Sequence, residues 1–264
     1  MKSSIYKTMG SLIISVLAAL ALFSLSTPAS ASTVPSYRAV SSEVSCHSFD
    51  SRDVTPVSER RAVSSFDEIS NLTSFCVTYI KSDAREVVVE GDSELVSDIM
   101  TEVSGGNLRI FIRKGSRCDG SAHVTVYAPE VEQFNVTGSG DIACASPLTA
   151  DDIEINVLGS GSFVCESISV EDLEASLKGS GSIRIASLGC VDAELSSYGS
   201  GVIEIDLIQV DQDLEMSTYG SGSIRCSGKA LDVEAKVYGS GSIGGDLNYG
   251  SIKRATYGSG RIHF

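Results

Sequence analysis

The sequence is short of positive charge. Its 264 residues contain 20 Lys and Arg against 34 Asp and Glu, which gives a net charge of −14 at pH 7. Nucleic acids and anionic membrane surfaces both attract positively charged proteins. The composition therefore argues against either of them as a partner.

The sequence also lacks the residue patterns of common catalytic and metal sites. No two of its seven cysteines form a Cys-x-x-Cys pair, and His47, His123 and His263 share no spacing with cysteines or carboxylates. Its glycine-rich segments have neither the nucleophile-elbow pattern with a paired histidine nor the Gly-Lys-Ser/Thr of a phosphate loop. We therefore predict no catalytic residue and expect that the protein is not an enzyme.

Long apolar runs are scarce. The apolar run from Leu12 to Leu25 follows Lys2 and Lys7, and it precedes Ala29-Ser30-Ala31. This is the pattern of a secretory signal peptide, so residues 1–31 are predicted to be removed on export to the periplasm or cell surface. No later segment approaches the 18 apolar residues of a membrane span. Loss of the two lysines lowers the net charge to −16.

In contrast, one tripeptide is abundant. Gly-Ser-Gly occurs seven times in the second half of the chain, at steps of 21, 20, 20, 21, 19 and 19 residues. The copies begin at Gly138, Gly159, Gly179, Gly199, Gly220, Gly239 and Gly258. A period this regular is typical of a solenoid of stacked rungs. Glycine suits a sharp corner of each rung, and we expect the serine hydroxyls to bond between rungs.

Apolar residues recur at fixed positions around each tripeptide. Four residues after its first glycine stand Ile142, Phe163, Ile183, Ile203, Ile224, Ile243 and Ile262. Positions six after, and four and six before, are also mainly apolar. Residues two apart on a strand point to one side, so residues 131–264 are predicted to form seven parallel rungs of two or three strands around an apolar interior.

The segments before residue 131 are less regular. Residues 32–60 lack periodicity and are predicted to be a flexible lead-in. Residues 61–130 contain short β-like runs and are expected to form the opening rungs of one domain, residues 61–264. Leu95, Ile99 and Val103 recur at a spacing of four, which predicts one short helix acting as a cap near that end.

Several segments resemble the putative auto-transporter adhesin family with a head GIN domain. They are Asn135–Ile142, Arg61–Ile69, Val87–Asp92 with Leu95 and Ile99, and Leu108–Ile110. The resemblance covers residues 61–264. It implies a right-handed parallel β-helix on an exported bacterial protein of the cell envelope, and it supplies no catalytic residue.

Acidic residues form two columns when the rungs are aligned. Five consecutive rungs carry an Asp-apolar-Glu pair: Asp152/Glu154, Asp172/Glu174, Asp192/Glu194, Asp213/Glu215 and Asp232/Glu234. Like charges about 5 Å apart repel by about 0.8 kcal/mol per pair in water. Two interpretations stay open: a solvated acidic face that keeps the sheet soluble, or a site for a cationic partner or for a cation, such as weakly bound calcium that bridges the rungs.

Tyrosine occupies the position before the corner in four consecutive rungs, at Tyr198, Tyr219, Tyr238 and Tyr257. Parallel stacking predicts an aromatic ladder, which either stabilises the stack or binds a ligand such as a sugar.

An odd number of cysteines leaves at least one thiol free or paired between chains. Cys144 and Cys165 fall in one inward column, whereas Cys46, Cys76 and Cys118 are the better candidates for a disulfide.

The sequence thus predicts an all-β solenoid that works as an exported, non-enzymatic binding or adhesion module for a surface ligand, either a glycan or a protein. The alternative is a structural, self-assembling envelope protein, because the last rung ends at Arg261–Phe264 without a recognisable cap and could pair with another copy. A polysaccharide-acting β-helix enzyme is less favoured. No step exceeds 21 residues, so no insertion is available to build a cleft.

Overall fold

The structure, a computed structural model, describes residues 57–116 and 120–264. The predicted signal peptide, most of the predicted lead-in, and Cys46, His47 and Cys118 lie outside this range. Residues 57–60, which the sequence placed in the lead-in, belong to the first strand.

The described residues form an almost entirely β solenoid of about seven turns, as predicted. The N-terminal section contains β1 (Val57–Ala62), β2 (Glu68–Asn71), β3 (Cys76–Lys81), β4 (Glu86–Gly91), α1 (Ser93–Asp98), β5 (Ile99–Ser104), β6 (Asn107–Ile112), β7 (Ala122–Ala128), β8 (Gln133–Gly138), β9 (Asp141–Cys144) and β10 (Leu148–Thr149). The regular section contains β11 (Asp152–Gly159), β12 (Ser162–Ser169), β13 (Asp172–Gly179), β14 (Ser182–Cys190), β15 (Asp192–Gly199), β16 (Val202–Gly220), β17 (Ser223–Gly239), β18 (Ser242–Gly244), β19 (Leu247–Gly258) and β20 (Arg261–His263).

The strands stack on two main sides of the solenoid. Side 1 runs in the order β1, β4, β7, β3, β9, β12, β14, β16, β17, β18, β20. Side 2 runs in the order β5, β6, β2, β8, β11, β13, β15, β16, β17, β19. The long strands β16 and β17 contribute to both sides.

The predicted inward columns form the core. Ile142, Phe163, Ile183, Ile203, Ile224 and Ile243 are each fully buried. Phe134 and Phe163 pack with tilted rings at 5.3 Å between ring centroids, and Tyr79 packs edge-on against Phe134 at 5.7 Å. The apolar interior is therefore continuous from the irregular N-terminal rungs into the repeats.

The Gly-Ser-Gly corners are held by backbone hydrogen bonds between rungs. The carbonyl oxygen of Gly159 accepts from the N–H groups of Ser180 and Gly181, at 2.9 and 3.1 Å. The same pair of bonds recurs at the neighbouring corners. The expected bonding between serine hydroxyls is found only between Ser240 and Ser259, at 3.1 Å, among the corners that the structure describes.

Rung order in the N-terminal section does not follow chain order. The rung made of β2 and β3 lies between the rung of β6 and β7 and the rung of β8 and β9. Its corner uses a buried asparagine, since Asn71 Nδ2 donates to the carbonyls of Phe75 (2.9 Å) and Asp141 (3.0 Å), and Asn71 Oδ1 accepts from Thr73 N–H (3.0 Å). One side chain thus replaces the glycine corner.

The predicted helix exists, but its position was partly wrong. Helix α1 ends at Asp98, and Ile99 and Val103 lie in β5, which forms an antiparallel hairpin with β6. Gly105 and Gly106 form the turn with φ of 62° and 86°, the two positive values that a tight hairpin favours. Side chains alternate between the two sides of a strand, so residues four apart also share one side of a strand, and the spacing fits a strand as well as a helix.

Helix α1 lies near the N-terminal end of the core, as the predicted cap should. It buries Leu95 and Val96, and Arg61 fixes its C-terminal end. The Arg61 guanidinium donates to the carbonyl oxygens of Val96 (2.8 Å) and Ile99 (2.6 Å). Among the described residues, no helix is long and apolar enough to span a membrane.

The C-terminal end is better covered than the sequence suggested. Arg254 stands in an inward column of the last rung and donates to the Tyr249 hydroxyl at 2.9 Å. Its guanidinium carbon lies 5.9 Å from the Tyr249 ring centroid and 5.8 Å from that of Phe264. These side chains cover the end of the core. Within the described chain, however, β19 pairs only with β17, and β20 only with β18.

Replacing a corner glycine should cost stability. Gly179 has φ 132°, and a Cβ there would lie 2.2 Å from the Gly159 carbonyl oxygen. We predict that Gly179→Ala lowers the free energy of unfolding by about 2–4 kcal/mol, measured by urea denaturation. The control is Gly189→Ala, because a Cβ at Gly189 meets no atom within 4 Å. Equal losses in the two variants would contradict the role of the corner.

Candidate functional site

The two acidic columns and the tyrosine ladder lie on one surface. They occupy alternate positions of the same side 2 strands, so all of them point outward from that sheet. We call the outward surface of β11, β13, β15, β19 and the second halves of β16 and β17 the ladder face. Across it run an Asp column, a Glu column, a column of mostly Asn and Ser, and the tyrosine column.

The tyrosine ladder is a parallel face-to-face stack. Ring centroids lie 4.7 Å apart from Tyr198 to Tyr219, 4.7 Å from Tyr219 to Tyr238, and 4.8 Å from Tyr238 to Tyr257. The ring planes differ by only 2°, 1° and 7°. This spacing matches that of neighbouring strands, about 4.8 Å, so the backbone register itself sets the stack.

Stacking decides which part of each ring a ligand can reach. Both faces of Tyr219 and Tyr238 are covered by neighbouring rings, and Lys178 Nζ lies 5.7 Å from the ring centroid of Tyr198. Tyr198 and Tyr219 are nevertheless 41% and 39% exposed, and Tyr257 is 61% exposed. The ladder therefore offers ring edges and hydroxyls along its length, and a more open ring at Tyr257.

The acidic columns align in register. Asp152, Asp172 and Asp192 are cross-strand neighbours, and the Glu column runs without a break from Glu154 to Glu234. Shallow depressions follow these columns, and one of about 440 Å³ is lined by Asp152, Glu154, Asp172 and Glu174 together with residues of β2 and β8. The whole stretch is open to solvent and strongly negative.

Several column members already have local partners. Glu154 accepts from Asn156 Nδ2 at 2.6 Å, and Asp192 Oδ1 accepts from the N–H of Asp213 at 2.9 Å. Glu234 pairs with Lys236 Nζ at 2.9 Å. Hydrogen bonding to Lys236 lowers the pKa of Glu234, and the same bond raises the pKa of Lys236. In the described chain this is the only ion pair within the two columns.

Calcium binding by these columns stays a prediction. Within residues 57–116 and 120–264, no group of three or more His, Cys, Asp or Glu side chains is arranged to hold a metal ion. Carboxylates of neighbouring rungs would have to turn toward each other before they could share a cation.

The cysteines are not part of the ladder face. Cys144, Cys165, Cys190 and Cys226 are buried and free, as the inward columns predicted for the first two. Burial raises the pKa of Cys190 and of Cys226 to about 12, so these thiols are poor nucleophiles. Cys76 is disulfide-bonded, in line with its selection as a bridge candidate.

The sequence places Leu158 and Lys178 in the tyrosine column of the earlier rungs, so it predicts that the aromatic surface belongs to the C-terminal half. The structure adds how the stack ends. Lys178 occupies the tyrosine column one rung before Tyr198 and places its ammonium group over that ring. Leu158, one rung earlier in the same column, is 53% exposed. The column alignment contained both residues. Only the ring geometry shows that Lys178 ends the stack.

Comparisons with known proteins agree with this architecture. A family model described as "Putative auto-transporter adhesin, head GIN domain" matches residues 65–188 and 186–264. Comparison with curated proteins gives no significant match.

Solved structures of similar proteins share the fold. A putative adhesin from Bacteroides fragilis superposes with a TM-score of 0.71 at 22% identity, over 79% of this chain and 96% of that one. Two proteins from Parabacteroides distasonis, a putative lipid binding protein (25% identity, TM-score 0.67) and a putative adhesin (20%, 0.66), each match 80% of this chain and 97% of their own.

Removing one carboxylate that has no ion pair in the described chain from the Glu column should stabilise the protein. Glu194 lies between Glu174 and Glu215, so we predict that Glu194→Gln raises the free energy of unfolding by roughly 0.5 kcal/mol at low salt, less at high salt. Glu234→Gln is the control, because it also loses the bond to Lys236 and should not stabilise. Equal gains would argue against repulsion along the column.

The calcium hypothesis predicts a thermal signature. If the columns bind calcium, the Tm of the wild type should rise when calcium replaces chelator, because ligands that bind only the folded state stabilise it. The rise should be smaller in Glu194→Gln. Identical melting curves with calcium and with chelator would contradict the hypothesis.

Proposed function

The chain belongs to the family of putative auto-transporter adhesins with a head GIN domain, and we propose that it is an exported, non-enzymatic binding or adhesion module that holds its ligand on the ladder face. The named relatives support the binding role. Two of the similar structures are named putative adhesins and one a putative lipid binding protein, and none of these three names an enzyme.

The observation that carries the proposal is the half-exposed tyrosine stack. Large aromatic side chains exposed together are unusual on a face that is otherwise polar and acidic. Tyr219 and Tyr238 are each held between two neighbouring rings, so little of their side-chain entropy remains to be lost when a ligand docks. Tyrosine also combines an apolar body with a hydroxyl that both donates and accepts hydrogen bonds.

The geometry favours a ligand that contacts edges. A sugar ring cannot lie flat on Tyr219 or Tyr238, since their faces are covered. It can place apolar C–H groups along the ring edges and hydroxyls against the tyrosine oxygens. The neighbouring carboxylates accept hydrogen bonds from hydroxyl groups but repel anions. A glycan without negative charge therefore suits the ladder face better than an acidic one.

A glycan array with three proteins tests the proposal. We predict that the wild type binds neutral glycans and that Tyr219→Ala/Tyr238→Ala lowers the affinity at least about tenfold. The variant Tyr219→Phe/Tyr238→Phe keeps the stack but loses two hydroxyls, so its loss should be intermediate. Leu207→Ala is the control, because Leu207 is 50% exposed away from the ladder face.

Two outcomes would contradict the proposed ladder-face site. One is that the wild type binds no glycan on the array. The other is that the alanine pair and Leu207→Ala bind as well as the wild type. Binding that prefers acidic glycans would contradict the electrostatic part of the proposal.

A further inference from the structure

Both ends of the solenoid expose edge strands. Side 1 ends with β1 at the N-terminal end and β20 at the C-terminal end. Side 2 ends with β5 and β19. Within the described chain each of these four strands pairs with only one neighbour, so unpaired backbone N–H and C=O groups lie on both sides at both ends.

These ends differ in charge. Residues 86–104, which form β4, α1 and β5, contain six acidic residues and no Lys or Arg. The edge strand β1 adds Glu59, Arg60 and Arg61, and both arginines are paired with glutamates, so the N-terminal end remains acidic. Residues 247–264, which form the last rung, contain Lys253, Arg254 and Arg261 and no Asp or Glu. The last rung is therefore basic in a chain that is otherwise strongly acidic.

Few of these charges are neutralised locally. At the N-terminal end, Glu86 pairs with Arg60 and Asp98 with Arg113. Glu94 is exposed on α1 and Glu102 on β5, and neither has an ion pair among the described residues. At the other end Lys253 and Arg261 form no ion pair among the described residues, although Lys253 is the cross-strand neighbour of Glu234. Arg254 is exposed, and its one hydrogen bond is to the neutral Tyr249 hydroxyl.

We propose that copies of this protein associate end to end, with the basic last rung of one copy docked on the acidic N-terminal cap of the next. In this arrangement β20 meets β1 on side 1, where the N-terminal end extends one strand beyond that of side 2, and β19 faces β5. Arg254 projects from the end of one core toward the exposed Glu94 of the next copy. The half-buried Ile252, Ile262 and Phe264 lose contact with water there.

Charge complementarity selects this junction over the symmetric one. A contact between two last rungs would bring Lys253, Arg254 and Arg261 against their own copies, and like charges at short range cost binding energy. The end-to-end contact is heterologous, so each added copy presents a fresh last rung and the assembly stays open. This inference does not depend on which ligand the ladder face binds.

The first test is the mass of the purified protein by analytical ultracentrifugation over a hundredfold range of concentration. The mean mass should increase with concentration at low salt, and association should weaken by about tenfold or more at high salt, because the contact is electrostatic. A monomer at every concentration at low salt would overturn the proposal.

The second test uses charge reversal at each end. Glu94→Lys and Arg254→Glu should each weaken association at least about tenfold, because each places like charges at the junction. An equimolar mixture of the two variants should associate again, since every junction then pairs opposite charges. Asp206→Lys is the matched control. It makes the same charge change on an exposed side-chain position between the two ends.

The variants also separate this junction from others. Association that survives Glu94→Lys but not Arg254→Glu would indicate contact between two last rungs, and it would overturn the proposal. Failure of the mixture to associate would do the same. Because Glu94 is exposed and forms no ion pair with the residues that the structure describes, its variant tests the junction even if Arg254→Glu disturbs the last rung. Glycan binding by the monomer would be unaffected by any of these results.

Discussion

At five corners the carbonyl oxygen of the first glycine accepts two N–H groups from the next rung; these glycines are Gly138, Gly159, Gly179, Gly199 and Gly220. This contact sets the register of the stack, because it fixes the corner of each rung directly against the corner of the one before it. The next rung must then also begin its corner with glycine, because a Cβ on that residue would collide with the carbonyl oxygen of the rung before it. With the corners aligned, the remaining positions of the repeat also fall into straight columns. The buried columns fill the core, and exposed columns of side 2 form the ladder face.

The regular section could be predicted from the sequence because its chemistry is local and repetitive. Aligning the tripeptides identified the buried isoleucine column, the acidic columns and the tyrosines without any three-dimensional information. The N-terminal section could not be predicted in this way. Its rung of β2 and β3 joins segments far apart in the chain, and its corner depends on hydrogen bonds of Asn71, whose sequence surroundings contain no glycine repeat.

The ladder face shows a similar division. The identity of its residues followed from the alignment, but the accessible part of each side chain did not. Whether a tyrosine offers its face or its edge depends on the ring orientation, and the nearly parallel rings turn their edges outward. The contacts of Lys178 and Arg254 also depend on side-chain geometry that the alignment does not show. Both occupy columns assigned to other residue types, and both use a cation over aromatic rings where a regular column ends.

The position of β2 and β3 has a consequence for how the chain folds. These strands are made early, but one of their two neighbouring rungs, β8 and β9, lies about 65 residues later in the sequence. The N-terminal rungs therefore cannot be completed in the order in which the chain emerges, and their closure waits for a long loop to form. The repeats downstream contact only their immediate predecessors. The solenoid can therefore grow rung by rung only after this slow, non-local step. Until then β2 and β3 lack one of their two neighbouring rungs, and they are the strands most exposed to mispairing.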